Sequence, residues 1–390
     1  MKKVQKGNAA YIKNMNKKLV LGSIRANQPT SRVDISKRLN ISKPTVSALV
    51  DQLIEEGWIY ETGNGESTSV GGRKPVHLVF NPDFAYIVGV DIGGTNVVSG
   101  IANLDGEIRT YREFSTTDYK DQQLFKRIKA DVQAMLEELS IDDDKVLGMG
   151  VGVPGITNCE KGVVVESPAL QWRSFPIKDR LQELFSFPIY IDNDVNINVL
   201  GEHWKGAGSR HSNLIYVAIG TGVGSGILLN GQLYRGSNYS AGEIGYMVTD
   251  RQHAANYHPV YEGYGFLESV AGGSSIGTQV SKLLGKPVSA KEAFQLYQQG
   301  NKQVGPIIDT AIENLAIAIA NYASLFDPEI IILGGGVTNS YPVFEQKLKG
   351  IIKRFTPQYC EVVPTTFGKE AGIIGAVALF LKENDLILDI

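Results

Sequence analysis

A short apolar segment followed by a glycine-rich turn occurs three times in this sequence, and it constrains the fold more than any other feature. The first turn is Asp91–Asn96 (DIGGTN), the second is Gly220–Gly226 (GTGVGSG) and the third is Gly334–Gly336. An apolar segment resumes after each of the first two turns, so both predict a β-hairpin. The third turn follows an apolar helix predicted over 312–325 and precedes another helix. None of the three reads GxxxxGK[ST] at the start of a helix, which excludes a P-loop.

The recurrence of the hairpins predicts a duplicated α/β fold with a nucleotide cleft between its halves, which is the layout of actin-like ATPases. The first two turns begin 129 positions apart. Glycine lets backbone N–H groups approach phosphate closely, and a carboxylate can hold Mg²⁺ through water. ATP with Mg²⁺ is therefore the candidate cofactor, although a tight turn needs glycine even without a ligand. The candidate nucleotide-binding residues are Asp91, Gly93, Gly94, Thr95, Gly220, Thr221, Gly222 and Gly335.

Charge is distributed unevenly along the chain. The first 80 residues carry 13 Lys and Arg against 6 Asp and Glu, a net charge of +7, and the other 310 residues carry 25 against 35, a net charge of −10. A basic head on an acidic body indicates a nucleic-acid-binding module joined to a different domain. Chance variation of surface charge is the alternative. We therefore expect a DNA-binding head over residues 1–80 and a separate two-lobed body over residues 84–390.

The head has the spacing of a helix-turn-helix. A first helix is predicted over 13–25, and Ser31 and Ser42 each fit the N-cap of a following helix. Pro44 falls in the first turn of the third helix, where a missing N–H costs nothing, and Gly57 ends that helix. The apolar positions expected to face the core of the head are Ile12, Met15, Leu19, Val20, Ile24, Val33, Ile35, Leu39, Val46, Leu49, Val50, Leu53 and Ile54.

The third helix is expected to recognise double-stranded DNA. Its N-terminal residues outside the core can reach base edges or phosphates, and they are Ser42, Lys43, Thr45 and Ser47. A wing is predicted at about 58–80, where two β-like segments flank a polar, glycine-rich stretch. Arg73 and Lys74 follow two glycines there, a composition that suits a narrow minor groove. A three-helix bundle that binds protein is the alternative.

The sequence as a whole resembles the ROK family, which groups bacterial sugar kinases with sugar-responsive repressors. The resemblance covers about residues 13–385. Repressors of the family carry an N-terminal winged helix that its kinases usually lack, so the resemblance favours a transcriptional regulator. The segments that carry it are 91–96, 150–155 (GVGVPG), 191–194 (IDND), 219–226, 241–246 (AGEIGY), 265–268 (GFLE), 332–336 and 371–376 (AGIIGA).

The resemblance implies a monosaccharide site. Asn193 and Asp194 match the family's Asn-Asp pair, of which the Asp is the general base in the kinases. Glu243 and Glu268 match two acids that grip sugar hydroxyls. Carboxylates suit this role because each accepts two charge-assisted hydrogen bonds from vicinal hydroxyls, and Gly155 would let the backbone approach the ring. For any one carboxylate alone, a solvated surface acid is the alternative.

The sequence departs from the family in the segment expected to bind zinc. Tyr246 stands where the family has a His that serves both sugar and zinc, and residues 255–268 contain none of the family's zinc-binding cysteines. We therefore expect the structural zinc to be absent. A loose metal site at His253 and His258 is the alternative. Aromatic packing is expected to hold this loop instead, through Tyr257, Tyr261, Tyr264 and Phe266.

Cysteine content and hydropathy limit the environment. The chain has only Cys159 and Cys360, 201 positions apart, which excludes a disulfide scaffold and indicates a reducing compartment. No apolar stretch is long enough to span a membrane, and the N-terminus does not read as a secretory signal. We expect a cytoplasmic protein.

Three functions are consistent with these patterns. The first is a regulator that binds a palindromic operator as a homodimer or higher oligomer and responds to a sugar through closure of two lobes. The second is an ATP-dependent sugar kinase with an accessory DNA-binding head, since the phosphate turns and the candidate base Asp194 are retained. The third is a binding module without chemistry. The winged helix favours the regulator.

Overall fold

The N-terminal head is a winged helix. The computed structural model describes residues 9–64, 76–119, 122–251, 265–358 and 360–384 of the chain. Within the head, the two strands pair antiparallel, and both predicted N-caps are confirmed: the Ser31 and Ser42 side chains accept hydrogen bonds from the backbone of Asp34 and Thr45. The elements are α1 (Ala9–Ala26), α2 (Arg32–Leu39), α3 (Lys43–Glu55), β1 (Ile59–Asn64) and β2 (Val76–Phe80).

The predicted apolar face of α1 is wrong in its N-terminal half. Ile12, Met15 and Leu19 are about half exposed, and the buried apolar residues of α1 lie at 20–24. The reason is that buried contacts with the rest of the head involve only the C-terminal half of α1. On α2 the same holds for Val33, which is exposed. The predicted stripe of α3 is buried from Val46 to Leu53.

The first lobe of the body is built on a five-stranded sheet in the order β10-β6-β3-β4-β5, with an antiparallel β3–β4 hairpin and parallel pairing of β3 with β6 and of β6 with β10. A small sheet of three short strands and α5 are inserted between β6 and β10. The elements are β3 (Tyr86–Ile92), β4 (Asn96–Asn103), β5 (Ile108–Ser115), α4 (Gln122–Leu139), β6 (Val146–Val153), β7 (Ile156–Asn158), β8 (Val163–Ser167), β9 (Trp172–Phe175), α5 (Ile177–Gln182) and β10 (Ile189–Asn193).

The second lobe is built on a sheet in the order β13-β12-β11-β14-β15. Its apolar core includes most of α10, the long helix predicted over 312–325. The elements from residue 194 onward are α6 (Asp194–Lys205), β11 (Leu214–Ile219), β12 (Val223–Leu229), β13 (Gln232–Leu233), α7 (Phe266–Ala271), α8 (Gly273–Leu284), α9 (Ala290–Gln298), α10 (Gly305–Phe326), β14 (Ile330–Gly334), α11 (Tyr341–Phe355), β15 (Glu361–Pro364) and α12 (Ala371–Glu383).

The two sheets have the same topology, which confirms the predicted duplication. In each, an antiparallel hairpin lies beside two parallel strands that are added one after the other: β3 and β4 correspond to β11 and β12, and β6 and β10 correspond to β14 and β15. The glycine turns connect the hairpin strands in both lobes. Residues that bind at these turns would therefore lie at equivalent places in the two halves.

Helices α6 and α12 pack between the two sheets. Side chains of both helices share one core cluster with β11 and β14, and α12 also packs on β3 and β6. The helices approach closely where glycines face each other: a Cβ added to Gly201 would lie 3.2 Å from Gly375 Cα. Such backbone contact leaves no space for side chains, so the two helices form one rigid unit between the lobes.

The head packs directly on the first lobe. Apolar residues of α1, α3 and β2 share one buried cluster with β3, β4 and α12. The connection from Phe80 to Tyr86 is itself bonded to the lobe, because Leu104 N donates to Pro82 O at 3.0 Å. The boundary expected between residues 80 and 84 falls in this connection and stays a prediction. No helix in the described part of the chain is long and apolar enough to cross a membrane.

Candidate functional site

The second and third glycine turns lie against each other. Gly273, the first residue of α8, donates from its N–H to Gly220 O at 2.8 Å, and a Cβ on Gly273 would lie 3.1 Å from Val337 in the segment after the third turn. Gly335 has φ +85°, and its added Cβ would lie 2.5 Å from Ile219 O, so only glycine fits there. The backbone of both turns thus borders one space.

The first glycine turn, between β3 and β4, is closed by a hydrogen bond from Gly93 N to Asn96 O at 2.8 Å. A Cβ on Gly94 would lie 3.0 Å from Ala169 Cβ. Thr95 and Thr221, the hydroxyl residues of the first and second turns, are both exposed. Both side chains are therefore accessible to a ligand that reaches these turns.

The start of α6 carries the predicted Asn-Asp pair. The Asn193 side-chain oxygen caps the helix by accepting from the N–H groups of Val195 and Asn196, and its amide nitrogen donates to Gly155 O at 3.0 Å. Gly155 has φ +97°, and its turn lies so close to β8 that an added Cβ would be 2.2 Å from Glu166 O. Most of the hydrogen-bonding capacity of Asn193 is therefore used within the protein, and one amide hydrogen remains for a ligand.

Four carboxyl groups converge at the start of α6. Burial, followed by the charge of Asp194, raises the pKa of Asp91 to about 7, and burial raises the pKa of Asp194 to about 6. Burial, followed by the charges of Asp194 and Glu268, raises the pKa of Glu243 to about 7. The charge of Asp194 thus acts on both Asp91 and Glu243, and the charge of Glu268 acts on Glu243, so these neighbouring pairs repel when both members are ionised. Such a cluster gains from donors that a ligand supplies.

Glu268 reaches from α7 to the second glycine turn. Its Oε2 accepts from Val223 N at 2.8 Å, and there is no space for a Cβ on Gly222 because the Glu268 carboxylate occupies it. Burial raises the pKa of Glu268, and the bond from Val223 offsets this in part. Glu268 therefore links the carboxyl cluster to the second glycine turn.

Asp91 is placed to serve a ligand or a metal ion. Its Oδ1 is buried and has no hydrogen-bond partner in the described part of the protein. There is no space for a Cβ on Gly372, the second residue of α12, because it faces the Asp91 carboxyl. An unpaired buried acceptor next to a second carboxylate is costly unless a cation or a donor completes it. The described residues contain no group of three or more His, Cys, Asp or Glu side chains that could hold a metal ion by themselves, so Asp91 is a candidate holder only for Mg²⁺ that arrives with a nucleotide.

Sequence reasoning missed a buried ion pair behind the cluster. Arg235 Nε donates to Asp192 Oδ2 at 2.7 Å, and its Nη2 donates to Glu383 Oε1 at 2.8 Å. Asp192 is fully buried one residue before the Asn-Asp pair. The bonds fasten β10 to the end of α12. The partners lie 43 and 148 positions from Arg235, so no local signal marks them.

The start of α3 forms the candidate DNA surface. Ser42, Lys43 and Thr45 are exposed and Ser47 is half-buried. The Ser42 and Thr45 hydroxyls hydrogen-bond each other at 2.8 Å, which orients both side chains. Arg73 and Lys74 lie outside the described residues, as do the histidines and tyrosines expected at 253–264. Tyr246, which stands in place of the family His, is 57% exposed.

A contact between head and body was also missed. Arg25, in the last turn of α1, donates to Asp105 Oδ1 at 3.2 Å and to Leu104 O at 3.1 Å in the turn after β4. Its guanidinium lies 5.9 Å from the ring centroid of Trp204, near the end of α6. There is also close contact between Gly106 and Trp204, where an added Cβ would lie 2.6 Å from the ring. Helix α6 thus connects the carboxyl cluster with the head.

The comparisons with known proteins define the class. The ROK family model matches residues 87–383, and a winged helix-turn-helix DNA-binding model matches residues 15–60. The chain therefore belongs to the ROK family and combines a ROK body with a winged-helix head.

Individual relatives fall into two groups. The chain is 31% identical to a xylose repressor from Caldicellulosiruptor bescii, over 97% of this chain and 98% of that protein. A solved ROK family transcriptional regulator, a homologue of the E. coli MLC protein, has 24% identity and a TM-score of 0.79 over 94% of this chain and 96% of its own. A ROK glucokinase from Streptomyces griseus, solved with glucose and AMPPNP, has 26% identity and a TM-score of 0.65 over 76% of this chain and 99% of its own. These likenesses confirm the predicted fold, a winged helix-turn-helix joined to a two-lobed actin-like sugar-kinase fold.

Proposed function

We propose that this protein is a sugar-responsive transcriptional repressor whose head binds an operator and whose body binds a monosaccharide between its lobes. One observation carries the proposal: similarity to a xylose repressor runs through head and body alike, whereas the glucokinase matches the body alone. Xylose is accordingly the first sugar to test. The acting form is inferred to be a homodimer or higher oligomer, since a two-fold protein matches a palindromic operator.

DNA recognition is assigned to α3 and the wing. Lys43 supplies charge to phosphates, and the hydroxyls of Ser42, Thr45 and Ser47 supply hydrogen bonds to phosphates or base edges. In the wing, Arg73 and Lys74 would enter a minor groove. Phosphate contacts release counterions, so operator affinity falls steeply with salt.

Sugar recognition is assigned to the carboxyl cluster. Asp194, Glu243 and Glu268 accept hydrogen bonds from vicinal hydroxyls, Asn193 offers its remaining amide hydrogen, and the backbone at Gly155 would approach the ring. When a sugar binds, its hydroxyls donate charge-assisted hydrogen bonds to the carboxylates, and these bonds offset the repulsion between the negative charges. This is the chemical reason that the cluster favours a polyhydroxylated, uncharged ligand.

The response is assigned to closure of the lobes around α6. A sugar that contacts Asp194 at the start of α6 and Glu243 from the second lobe stabilises one closure angle. The far end of α6 carries Trp204, which contacts Arg25 of the head. A ligand shifts such an equilibrium only by its differential affinity for the two states, and a strong switch needs about 5.5 kcal/mol.

A sugar kinase is the second candidate, because the three glycine turns are intact and Asp194 lies beside Asp91. In that function Asp194 would take the proton from the attacking sugar hydroxyl, and phosphate would lie on the turns. A bound Mg²⁺ would neutralise phosphate charge. Replacing Asp194 by Asn removes the base, which typically costs about 10²–10⁴-fold in rate.

The two candidates separate in a coupled ADP-release assay on the purified full-length chain with ATP, Mg²⁺ and a panel of sugars. The repressor proposal expects turnover far below the range of about 1–100 s⁻¹ that kinases reach. Nucleotide binding alone is compatible with either function. Turnover in the kinase range that disappears in Asp194→Asn would replace the repressor proposal with an enzyme that carries a control domain.

A further inference from the structure

Glu243 occupies the centre of a tightly bonded turn. Its φ of −69° and ψ of 57° are those of an inverse γ-turn, and Ile244 N donates to Gly242 O at 2.6 Å across it. The direction of the Glu243 side chain is therefore set by the orientation of the Gly242 carbonyl. Gly242 itself has φ +92°, and a Cβ there would collide with Ser225 O. The turn thus lies directly against β12.

Ser225 of β12 holds that carbonyl with two further hydrogen bonds. Its backbone N–H donates to Gly242 O at 2.9 Å, and its hydroxyl donates to the same oxygen at 2.8 Å. The Ser225 side chain is buried. The single hydroxyl hydrogen of Ser225 is used in this bond, so its oxygen accepts from any other hydroxyl near it.

Tyr322 supplies that other hydroxyl from the core of the second lobe. Its oxygen lies 2.9 Å from the Ser225 hydroxyl, and both groups are buried. The donors therefore run in one direction, from the Tyr322 hydroxyl to the Ser225 hydroxyl to the Gly242 carbonyl, an arrangement in which each bond strengthens the next. Burial raises the pKa of Tyr322, the hydrogen bond with Ser225 offsets part of that rise, and the charge of Glu243 adds to it, in keeping with a hydroxyl that lies close to Glu243.

A buried hydroxyl pair costs desolvation, so its benefit must lie in what it bonds. Tyr341 gives the comparison within the same lobe. It is also buried, and its hydroxyl donates to Val362 O at 3.0 Å in edge strand β15. Tyr341 therefore satisfies a sheet carbonyl, whereas the Tyr322–Ser225 chain ends on the carbonyl that precedes Glu243.

We propose that Ser225 and Tyr322 are positioning residues of the effector site: their hydroxyl chain fixes the Gly242–Glu243 turn so that the Glu243 carboxylate faces the bound sugar. This inference rests on the proposed function. Neither hydroxyl contacts the ligand. Both act through Glu243, and together they connect the sugar site to α10 in the core of the second lobe.

The test measures the affinity of the full-length protein for the best-binding sugar of a panel that starts with D-xylose. Ser225→Ala and Tyr322→Phe are each expected to weaken sugar binding by about 3- to 10-fold, the effect of losing one neutral hydrogen bond. The double variant is expected to be little weaker than the worse single variant, because the two bonds act in series. Tyr341→Phe is the matched control: it loses a buried tyrosine hydroxyl in the same lobe and keeps wild-type sugar affinity.

A cycle with Glu243→Gln separates positioning from general destabilisation. If Ser225 acts through the Glu243 carboxylate, Ser225→Ala weakens sugar binding in the wild-type background and has little effect in the Glu243→Gln background. Equal effects in both backgrounds, or wild-type affinity in both Ser225→Ala and Tyr322→Phe, would overturn the inference. Should Ser225→Ala fail to fold, Tyr322→Phe decides, since it removes a single oxygen atom. A wild-type protein that binds no sugar of the panel overturns the proposed function and this inference with it.

Discussion

The contact of Arg25 with the body gives the sharpest prediction about communication between sugar and DNA. Its side chain is only 13% exposed, it bonds Asp105 and Leu104 O, and it lies on the Trp204 ring. Hydrogen bonds to a charged group contribute about 1.5–3 kcal/mol. If this contact is made in only one closure state, removing it takes about 2 kcal/mol from the coupling, which is about 30-fold in affinity.

The variant Arg25→Ala is therefore expected to bind the sugar normally and to bind operator DNA within a few-fold of wild type. The change in operator affinity that the sugar causes should shrink by about 30-fold. The assay combines fluorescence anisotropy of labelled DNA, with and without sugar, and calorimetry of sugar binding without DNA. The DNA is a duplex that the protein selects from a random library.

Arg127→Ala is the matched control for this experiment. Arg127 also bonds a carboxylate, Asp131, at 3.0 Å, and it also lies over aromatic rings, but it is within the first lobe and away from the head. The control should keep the full sugar response. A normal sugar response in Arg25→Ala would refute the idea that α6 and Arg25 carry the signal.

Sugar binding, DNA binding and metal content each have an expected outcome. Asp194 and Glu243, with pKa values of about 6 and about 7, accept charge-assisted hydrogen bonds from hydroxyls only when ionised, so sugar affinity should fall by about tenfold or more from pH 8 to pH 5 in calorimetry; a flat profile would contradict this. Glu268→Ala should weaken sugar binding by about 10- to 150-fold while leaving operator binding intact, and unchanged calorimetry would remove Glu268 from the site. Arg73→Ala should weaken DNA binding mainly at A·T-rich flanks and lower its salt dependence, as anisotropy at several salt concentrations would show. Elemental analysis should find no stoichiometric zinc, and about one zinc per chain would disprove that expectation.

The same carboxyl groups affect stability in a direction that can be checked. Their pKa values are raised in the folded protein, so the native state holds protons that the unfolded chain releases above about pH 4. Their contribution to the free energy of unfolding is fully present below about pH 4 and is lost as the pH rises through 6 to 7. The sugar-free body should therefore lose thermal stability across this window, and Glu243→Gln should lose less.

Much of the architecture could be predicted because its signals are local. A glycine turn after an apolar strand, as at Gly93 and Gly220, has few structural solutions. Ser31 and Ser42 mark the starts of helices because each side chain accepts a hydrogen bond from the backbone N–H three residues later. The failures have a tertiary cause. Ile12 and Met15 have helical spacing, yet the elements that would cover them pack farther along α1.

The candidate site could be predicted only in part for a related reason. Asp194 and Glu243 lie in recognisable motifs, whereas Ser225, Tyr322 and Arg25 are ordinary residues in their local sequence. Ser225 and Tyr322 bond each other across 97 positions of the sequence, and Arg25 and Asp105 do so across 80. Only the folded chain brings such pairs together, so spacing and composition cannot reveal them.

A sugar bound in the body is proposed to change how tightly the head binds DNA. The most direct measurement is a titration of the full-length protein, bound to its selected duplex, with D-xylose and the other sugars of the panel, followed by anisotropy. One sugar is expected to release the DNA, with a half-effect near the dissociation constant that calorimetry gives for the same sugar. If that sugar binds tightly and operator affinity stays constant, the body does not control the head.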